Sequence, residues 1–205
     1  MQILHTGVLR GLQGVMPDVL LDGLPVIDLL EITPSTDAVA RFTQRDQSSV
    51  SRIYRQVSLR LGLGFRKRAD GGYQAQTNQM LLEQLRCASQ TLRLQADPPQ
   101  PRWILCGGNH PALQQIDPPP LPASLHPRDC DEANLTALLQ RRLVDLVLQL
   151  APPADAASAV VTEASRPPEL LRRRLGSAQV LLRRDLQGSP GLSRLLADLE
   201  SRLHA

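Results

Sequence analysis

The sequence predicts a mainly α-helical chain with an α/β C-terminal part, and three observations carry that expectation. Apolar residues recur at helical spacing through most of residues 20–96. The run Asp97-Pro98-Pro99-Gln100-Pro101 then forms a stiff linker. Beyond it the pattern changes to short apolar runs such as Trp103-Ile104-Leu105-Cys106, set among helical stretches, and strands alternating with helices mean an α/β layer. The chain has 205 residues, 42% of them hydrophobic but only 2% aromatic, so leucine and alanine must fill the interior. The expected divisions are an N-terminal module over 1–76, a long helix over 77–97 and a small α/β domain over 98–205.

Residues 1–21 place glycines at 7, 11 and 14 among small and apolar residues, which suits a short helix or an irregular arm. Leu20 to Glu31 reads as a first helix, with Leu21, Leu24, Ile27, Leu29 and Leu30 apolar and Pro25 in the first turn, where its missing N–H costs nothing. Thr33-Pro34-Ser35-Thr36 breaks that pattern, and Ser35 or Thr36 caps a short second helix to about Phe42, with Ala38, Val39 and Phe42 inward. After the turn Thr43-Gln44-Arg45, residues 46–62 read as one amphipathic helix. Val50, Ile53, Val57 and Leu61 make its apolar stripe, Asp46 caps its start and Gly62 supplies a left-handed exit. Helix, short helix, tight turn and basic helix is the order of a helix-turn-helix.

The polar side of helix 46–62 carries Gln47, Ser48, Ser51, Arg52, Arg55 and Arg60, with no acid after Asp46. A solvated surface helix has the same pattern, but these residue types also suit a DNA major groove. Arginine forks onto guanine, glutamine onto adenine, and serine reaches phosphate. The neighbouring segments favour DNA. Residues 64–76 read as two short extended runs joined by Asp70-Gly71-Gly72, a β-hairpin placed as a wing, and Arg66, Lys67 and Arg68 on it would lie along a phosphate backbone. Residues 36–95 hold ten basic residues against four acidic ones, while residues 1–35 hold one arginine against four acids, and such asymmetry favours a polyanion partner.

From Thr77 to about Ala96 runs the longest clean helix. Leu81, Leu85, Ala88 and Leu92 step by four, three and four, the spacing of a coiled-coil seam, with Leu82 and Leu94 widening it. Pairing with a second copy is the natural outlet for that face; packing on the chain's own C-terminal domain is the alternative. In the C-terminal part, Trp103 to Cys106 reads as a strand before Gly107-Gly108, Pro118 to Pro122 as a stiff loop, and Glu132 to Arg142 as a helix with Leu135, Leu138 and Leu139 inward. Leu143 to Leu148 and Gln179 to Leu182 read as strands, Ala159 to Thr162 as a further candidate strand. A helix is expected from Pro167 or Pro168 to just before Gly176, and a final one from Gly191 to Leu203, capped by Ser189 with Pro190 first.

Cys87, Cys106 and Cys130 lie far apart, with no CxxC, and the four histidines are scattered, so no metal site or cofactor is expected and the chain reads as reduced and cytoplasmic. No apolar run is long enough to span a bilayer. No nucleophile–base pair or phosphate loop stands out, and an enzyme is not expected. Asp145 fits a turn at a strand end as well as a site carboxylate, and Asp129, Asp131 and Glu132 beside Cys130 fit a helix start.

These residues resemble the LysR-type transcriptional regulators. Gln47, Val50, Ser51, Arg52, Leu61 and Gly62 fall on that family's Ser-Gln-x-x-Val-Ser-Arg and Leu-Gly positions, and Arg68 on its wing arginine. The helix from Thr77 is similar to the linker helix through which two subunits dimerise. Arg102 to Leu105, Leu143 to Val147 and Ser189 to Leu192 are similar to segments of the effector domain. The resemblance implies a homodimeric DNA-binding regulator with a winged helix-turn-helix domain. The family's effector domain has two lobes around an inducer, whereas the stretch after Leu150 leaves room for about one lobe, so a small-molecule inducer of that kind is not expected. A winged-helix protein-interaction module that has lost sequence-specific DNA binding is the competing expectation.

Overall fold

The structure, a computed structural model, describes residues 18–33, 35–68, 73–107, 113, 116, 121, 131–150 and 168–204. The arm over 1–17, the tip of the hairpin, the polyproline loop apart from Leu121, and the candidate strand at 159–162 lie outside the described residues. Among the described residues, six α-helices, a two-stranded sheet and a four-stranded mixed sheet give an α/β architecture.

A π-helical turn, Val19–Gly23, leads into α1 (Leu24–Ile32), which has Pro25 in its first turn. Leu24, Val26, Ile27, Asp28, Leu29, Leu30 and Glu31 are all buried. A helix covered on nearly every side lies at the centre of its structure. Gly23 shows how tightly α1 meets α3: a Cβ there would stand 2.5 Å from Val57 Cγ2. α2 (Thr36–Phe42) starts where Ser35 Oγ accepts from the Ala38 N–H, and it buries Val39 and Ala40, with Ala38 and Phe42 half-buried.

α3 (Gln47–Leu61) is capped by Asp46, which accepts from the Ser49 N–H, and it buries Val50, Ile53 and Val57. Gly62 leaves in the left-handed region at φ 62°, which lets the Leu63 N–H reach the Ser58 carbonyl at 2.8 Å. Asn78 Nδ2 donates to the Leu61 carbonyl at 2.8 Å and Thr77 Oγ1 to the Gly62 carbonyl at 2.8 Å, so the end of α3 is closed by the residues that open the next helix. Between them, β1 (Phe65–Lys67) and β2 (Tyr73–Ala75) pair antiparallel with Arg66 opposite Gln74.

α4 (Gln79–Gln95) begins two residues after the expected Thr77, because Thr77 and Asn78 are engaged with the end of α3. Its buried face is Leu82, Arg86, Ser89, Gln90 and Leu94. Leu82 and Leu94 therefore do not widen the Leu81–Leu92 seam; they turn into the chain's own core, while Leu81, Ala88 and Leu92 are exposed and Leu85 is half-buried.

The larger sheet has the order β3-β4-β6-β5, with β3 parallel to β4 and the other neighbours antiparallel. β3 (Trp103–Cys106) lies where the sequence places it, and so does α5 (Glu132–Gln140), up to Gln140. β4 runs Leu146–Leu150, three residues later than expected, since Asp145 is held outside the ladder by its own bonds to Arg102. The expected helix before Gly176 is a strand. β5 (Leu170–Leu175) pairs with β6 (Ala178–Arg183) through the two-residue loop Gly176-Ser177, with Gly176 at φ 56°. The diproline suits a helix start, but it precedes an edge strand whose Arg173 and Arg174 are exposed, a usual protection for a sheet edge. The C-terminal part is thus half antiparallel hairpin and not a strict alternation. α6 (Pro190–His204) closes the chain.

Alternate residues of the sheet face opposite layers. Ile104, Cys106, Val147 and Leu181 join one apolar cluster with Leu135 and Leu139 of α5, Leu82 of α4, and Leu24, Ile27, Val39, Val50 and Ile53 of the first three helices. Trp103, Leu146, Leu148, Val180 and Leu182 face the other way, onto Leu192, Leu195 and Leu199 of α6 and Leu94 of α4. The first cluster continues across the proline linker. It joins a head, made of α1–α3 with the small sheet, to a body, made of the large sheet with α5 and α6.

Candidate nucleic-acid interface

The candidate surface starts at the cap of α3. Asp46 takes hydrogen bonds from Ser48 Oγ, from Ser49 Oγ at 2.7 Å and from the Ser49 N–H at 2.7 Å. The Ser48 bond, then the two from Ser49, hold its carboxyl far below the usual carboxylate range. Its charge is thereby committed to the helix start. Gln47 Nε2 donates to Thr36 Oγ1 at 2.8 Å, tying the start of α3 to the start of α2 and leaving the amide oxygen of Gln47 to accept.

Along the outer face, Gln47, Ser48, Arg52, Arg55 and Arg60 are exposed, and Ser51 is half-buried. Arg52 Nη2 lies 3.5 Å from Ser49 Oγ. Arg66, Lys67 and Arg68 are exposed on and just after β1. Among the described residues, no carboxylate pairs with Arg52, Arg55, Arg60, Arg66 or Lys67. Five cations that no described carboxylate pairs leave a positive field over this side. Arg68 is placed differently from its two neighbours: its Nη2 donates to the Glu31 carbonyl at the end of α1, at 3.4 Å.

Aromatic contacts set the hairpin against the helix. Tyr54 stands 5.2 Å from Phe65 and 5.8 Å from Tyr73, ring centre to ring centre, both tilted. Such tilted pairs contribute about 0.5–1.5 kcal/mol each beyond their buried area. Burial, and then Tyr73, push the Tyr54 hydroxyl above its ordinary value. Both aromatic residues of the hairpin therefore meet the one aromatic residue of α3, and the strands carrying Arg66 and Lys67 are fixed beside that helix.

Three of the four seam residues, Leu81, Ala88 and Leu92, lie on the surface of α4, and Leu85 is half-buried against the core. Leu81 is 39% and Leu92 49% exposed, and Met80 beside them is 75% exposed. These are large apolar side chains left to water along one helix, opposite a fully packed face.

Sequence reasoning missed the buried polar residues Asp28, Glu31, Arg86, Gln90 and Arg102 and the half-buried Arg93 beside them. A signal was present: Asp28 and Glu31 interrupt an apolar helix three residues apart, and Arg86, Gln90 and Arg93 recur at helical spacing on one side of α4. Asp145 accepts from Gln90 Nε2 at 2.7 Å, from Arg93 Nη2 at 3.0 Å and from the Arg102 N–H at 2.7 Å, which anchors it just before β4. A cleft of about 250 Å³ between β2, α4 and the end of α5 has Arg86 and Arg141 in its wall. Among the described residues no three His, Cys, Asp or Glu side chains gather as metal ligands, and no helix is long and apolar enough to cross a membrane. Cys87 is an exposed thiol, and Cys106 is buried.

No family model, curated protein or solved structure matches this chain.

Proposed function

We propose that the chain is a DNA-binding transcriptional regulator, LysR-like in its head and acting as a homodimer. The observation that carries this reading is the exposed, acid-free outer face of α3 beside a basic hairpin. In this reading α2 and α3 form the helix-turn-helix and the hairpin is the wing. α3 enters the major groove, where Arg52 and Arg55 fork onto base edges and Gln47 offers its amide. Ser48 and Ser51 reach phosphates near the helix start, and Arg66 and Lys67 lie along the backbone. Arg68, already bonded to α1, steadies the base of the wing and adds its charge to the same field.

The dimer would form through α4. Leu81, Ala88 and Leu92 present a seam to solvent, with Leu85 half-buried at its base, and a second copy of the same seam would cover it. Two heads would then face two half-sites, and the protein would act by occupying a site on double-stranded DNA in the cytoplasm.

The test is selection of bound fragments from the source genome, followed by electrophoretic shifts of a selected and a random duplex at several salt concentrations. A regulator gives an enriched site, a preference for it that survives raised salt, and a steep loss of binding to both duplexes as salt rises. Recovery of unrelated fragments with equal affinity would sink sequence reading. Absence of any shift would move the protein-interaction module ahead.

A further inference from the structure

Three arginines from three separate segments converge on one helix of the head. Arg86 of α4 donates through Nε to Asp28 Oδ1 at 2.7 Å, and its Nη2 lies 3.0 Å from Glu31 Oε1. Arg102, just before β3, donates through Nη1 to Asp28 Oδ2 at 2.6 Å. Arg141, just after α5, donates through Nη2 to Glu31 Oε2. Asp28 and Glu31 are each 1% exposed. Arg102 also belongs to a second group: its N–H donates to Asp145 Oδ2 and its carbonyl accepts from the Asp145 N–H, each at 2.7 Å. Asp145 in turn holds Gln90 and Arg93 of α4. One connected set of contacts thus joins α1, α4, the starts of β3 and β4, and the end of α5.

Lifting the head from the body would break the ion pairs that Asp28 and Glu31 make and expose the leucines around them to water. Removing one arginine while the head stays closed leaves a buried carboxylate short of a partner, which is costly, far more than an exposed pair is worth. Contacts between separate domains of one chain are ordinarily polar, limited and mobile. Here Asp28, Glu31 and Arg86 are buried, and α1 and α4, which carry them, contribute to an apolar cluster that runs through head and body.

We infer that Asp28, Glu31, Arg86, Arg102 and Arg141 form an ionic lock that holds the head at one angle to the body, so that the two open as a single unit. The lock stands independently of the DNA reading. Only its consequence, a fixed relation between the outer face of α3 and the seam of α4, matters to that reading.

Amide hydrogen exchange on the full chain tests the lock. In the natural protein the slowest amides of α1 and α3 exchange at the same rate as those of β4 and β6, because both need the same opening. In Arg86→Met the head amides exchange on the order of a hundredfold faster than those of β4 and β6. Arg141→Gln is the milder variant, should the first fail to fold. Arg141 is 32% exposed, so the head runs ahead of the body by about tenfold. The inference is overturned if the head of the natural protein already opens with the body closed. It is equally overturned if Arg141→Gln speeds head and body alike, or neither. A protein that binds no DNA leaves each of these outcomes readable.

Discussion

Arg52 and Lys67 carry the same charge and have different tasks in the proposed complex. Arg52, on the outer face of α3, would read a base edge, and losing it should cost about 1–3 kcal/mol of discrimination against a wrong base. Lys67, on β1, would meet phosphate alone, and its loss should weaken binding to all sequences alike and lower the salt slope by roughly one. Arg52→Ala should therefore flatten the preference for the selected site over random DNA, and Lys67→Ala should keep it. Equal weakening of both duplexes by both variants would make α3 a backbone clamp. At the same scale, Asp28 links stability to pH. Burial by itself would raise its pKa, but Arg86 and then Arg102 outweigh that and hold it below the ordinary 3.8. Glu31, Arg141 and Arg93 are further charged groups that act on this site. The folded pKa is the lower one, so the stabilisation is fully present above 3.8 and drains as pH falls through the folded value. The melting temperature of Asp28→Asn should be depressed at pH 7, by a loss of about 3–5 kcal/mol, and should depend less on acid than that of the natural protein. A parallel acid profile for the two proteins would assign the acid sensitivity elsewhere.

Among the elements, α3 and α4 differ in how fully their sequences describe them. In α3 the cap, the apolar stripe and the left-handed exit are all local, and Asp46, Val50, Ile53, Val57 and Gly62 occupy the positions their residue types call for. Gly62→Ala places a Cβ at φ 62° and 2.8 Å from Asn78 Nδ2, and should destabilise by about 1–2 kcal/mol in a denaturant melt. α4 misleads because its buried face is largely polar, with Arg86, Ser89 and Gln90, while leucines lie on both faces. One is packed through Leu82 and Leu94, and the other, with Leu81 and Leu92, lies open. Leu85→Asp with Leu92→Asp should bring like charges together in the proposed seam and yield monomers in sedimentation. An unchanged dimer at micromolar concentration would place the contact on another surface. β5 is ambiguous in sequence because Pro167-Pro168 suits a helix start as well as a strand entry. Only its pairing partner decides between them, through the Gly176-Ser177 loop that sets Leu175 opposite Ala178.

At the scale of the whole molecule, the head and body share one apolar cluster and one set of buried ion pairs. A fragment of residues 1–97 would expose Leu24, Ile27 and Leu82 on that side and leave Asp28 and Glu31 without Arg102 and Arg141. It should lack a cooperative thermal transition and should bind an apolar dye. A sharp melt from that fragment would show that the head folds alone.

The sequence by itself determined what depends on near neighbours. The helices of the head, the hairpin, the basic outer face of α3 and the strands at 103–106 and 178–183 follow from periodicity, caps and turn residues, whose physics acts within a few positions. The tertiary structure alone decided what depends on distant partners. It shows which side of α4 is inside, that residues 170–175 are a strand, and that α1 lies at the centre. It also shows that Asp28 and Glu31 meet arginines from three later segments. A charge in a sequence carries no mark of burial. Asp28 and Glu31 read as surface acids until Arg86, Arg102 and Arg141 are brought to them, because only a partner close by in space offsets the cost of burying a carboxylate.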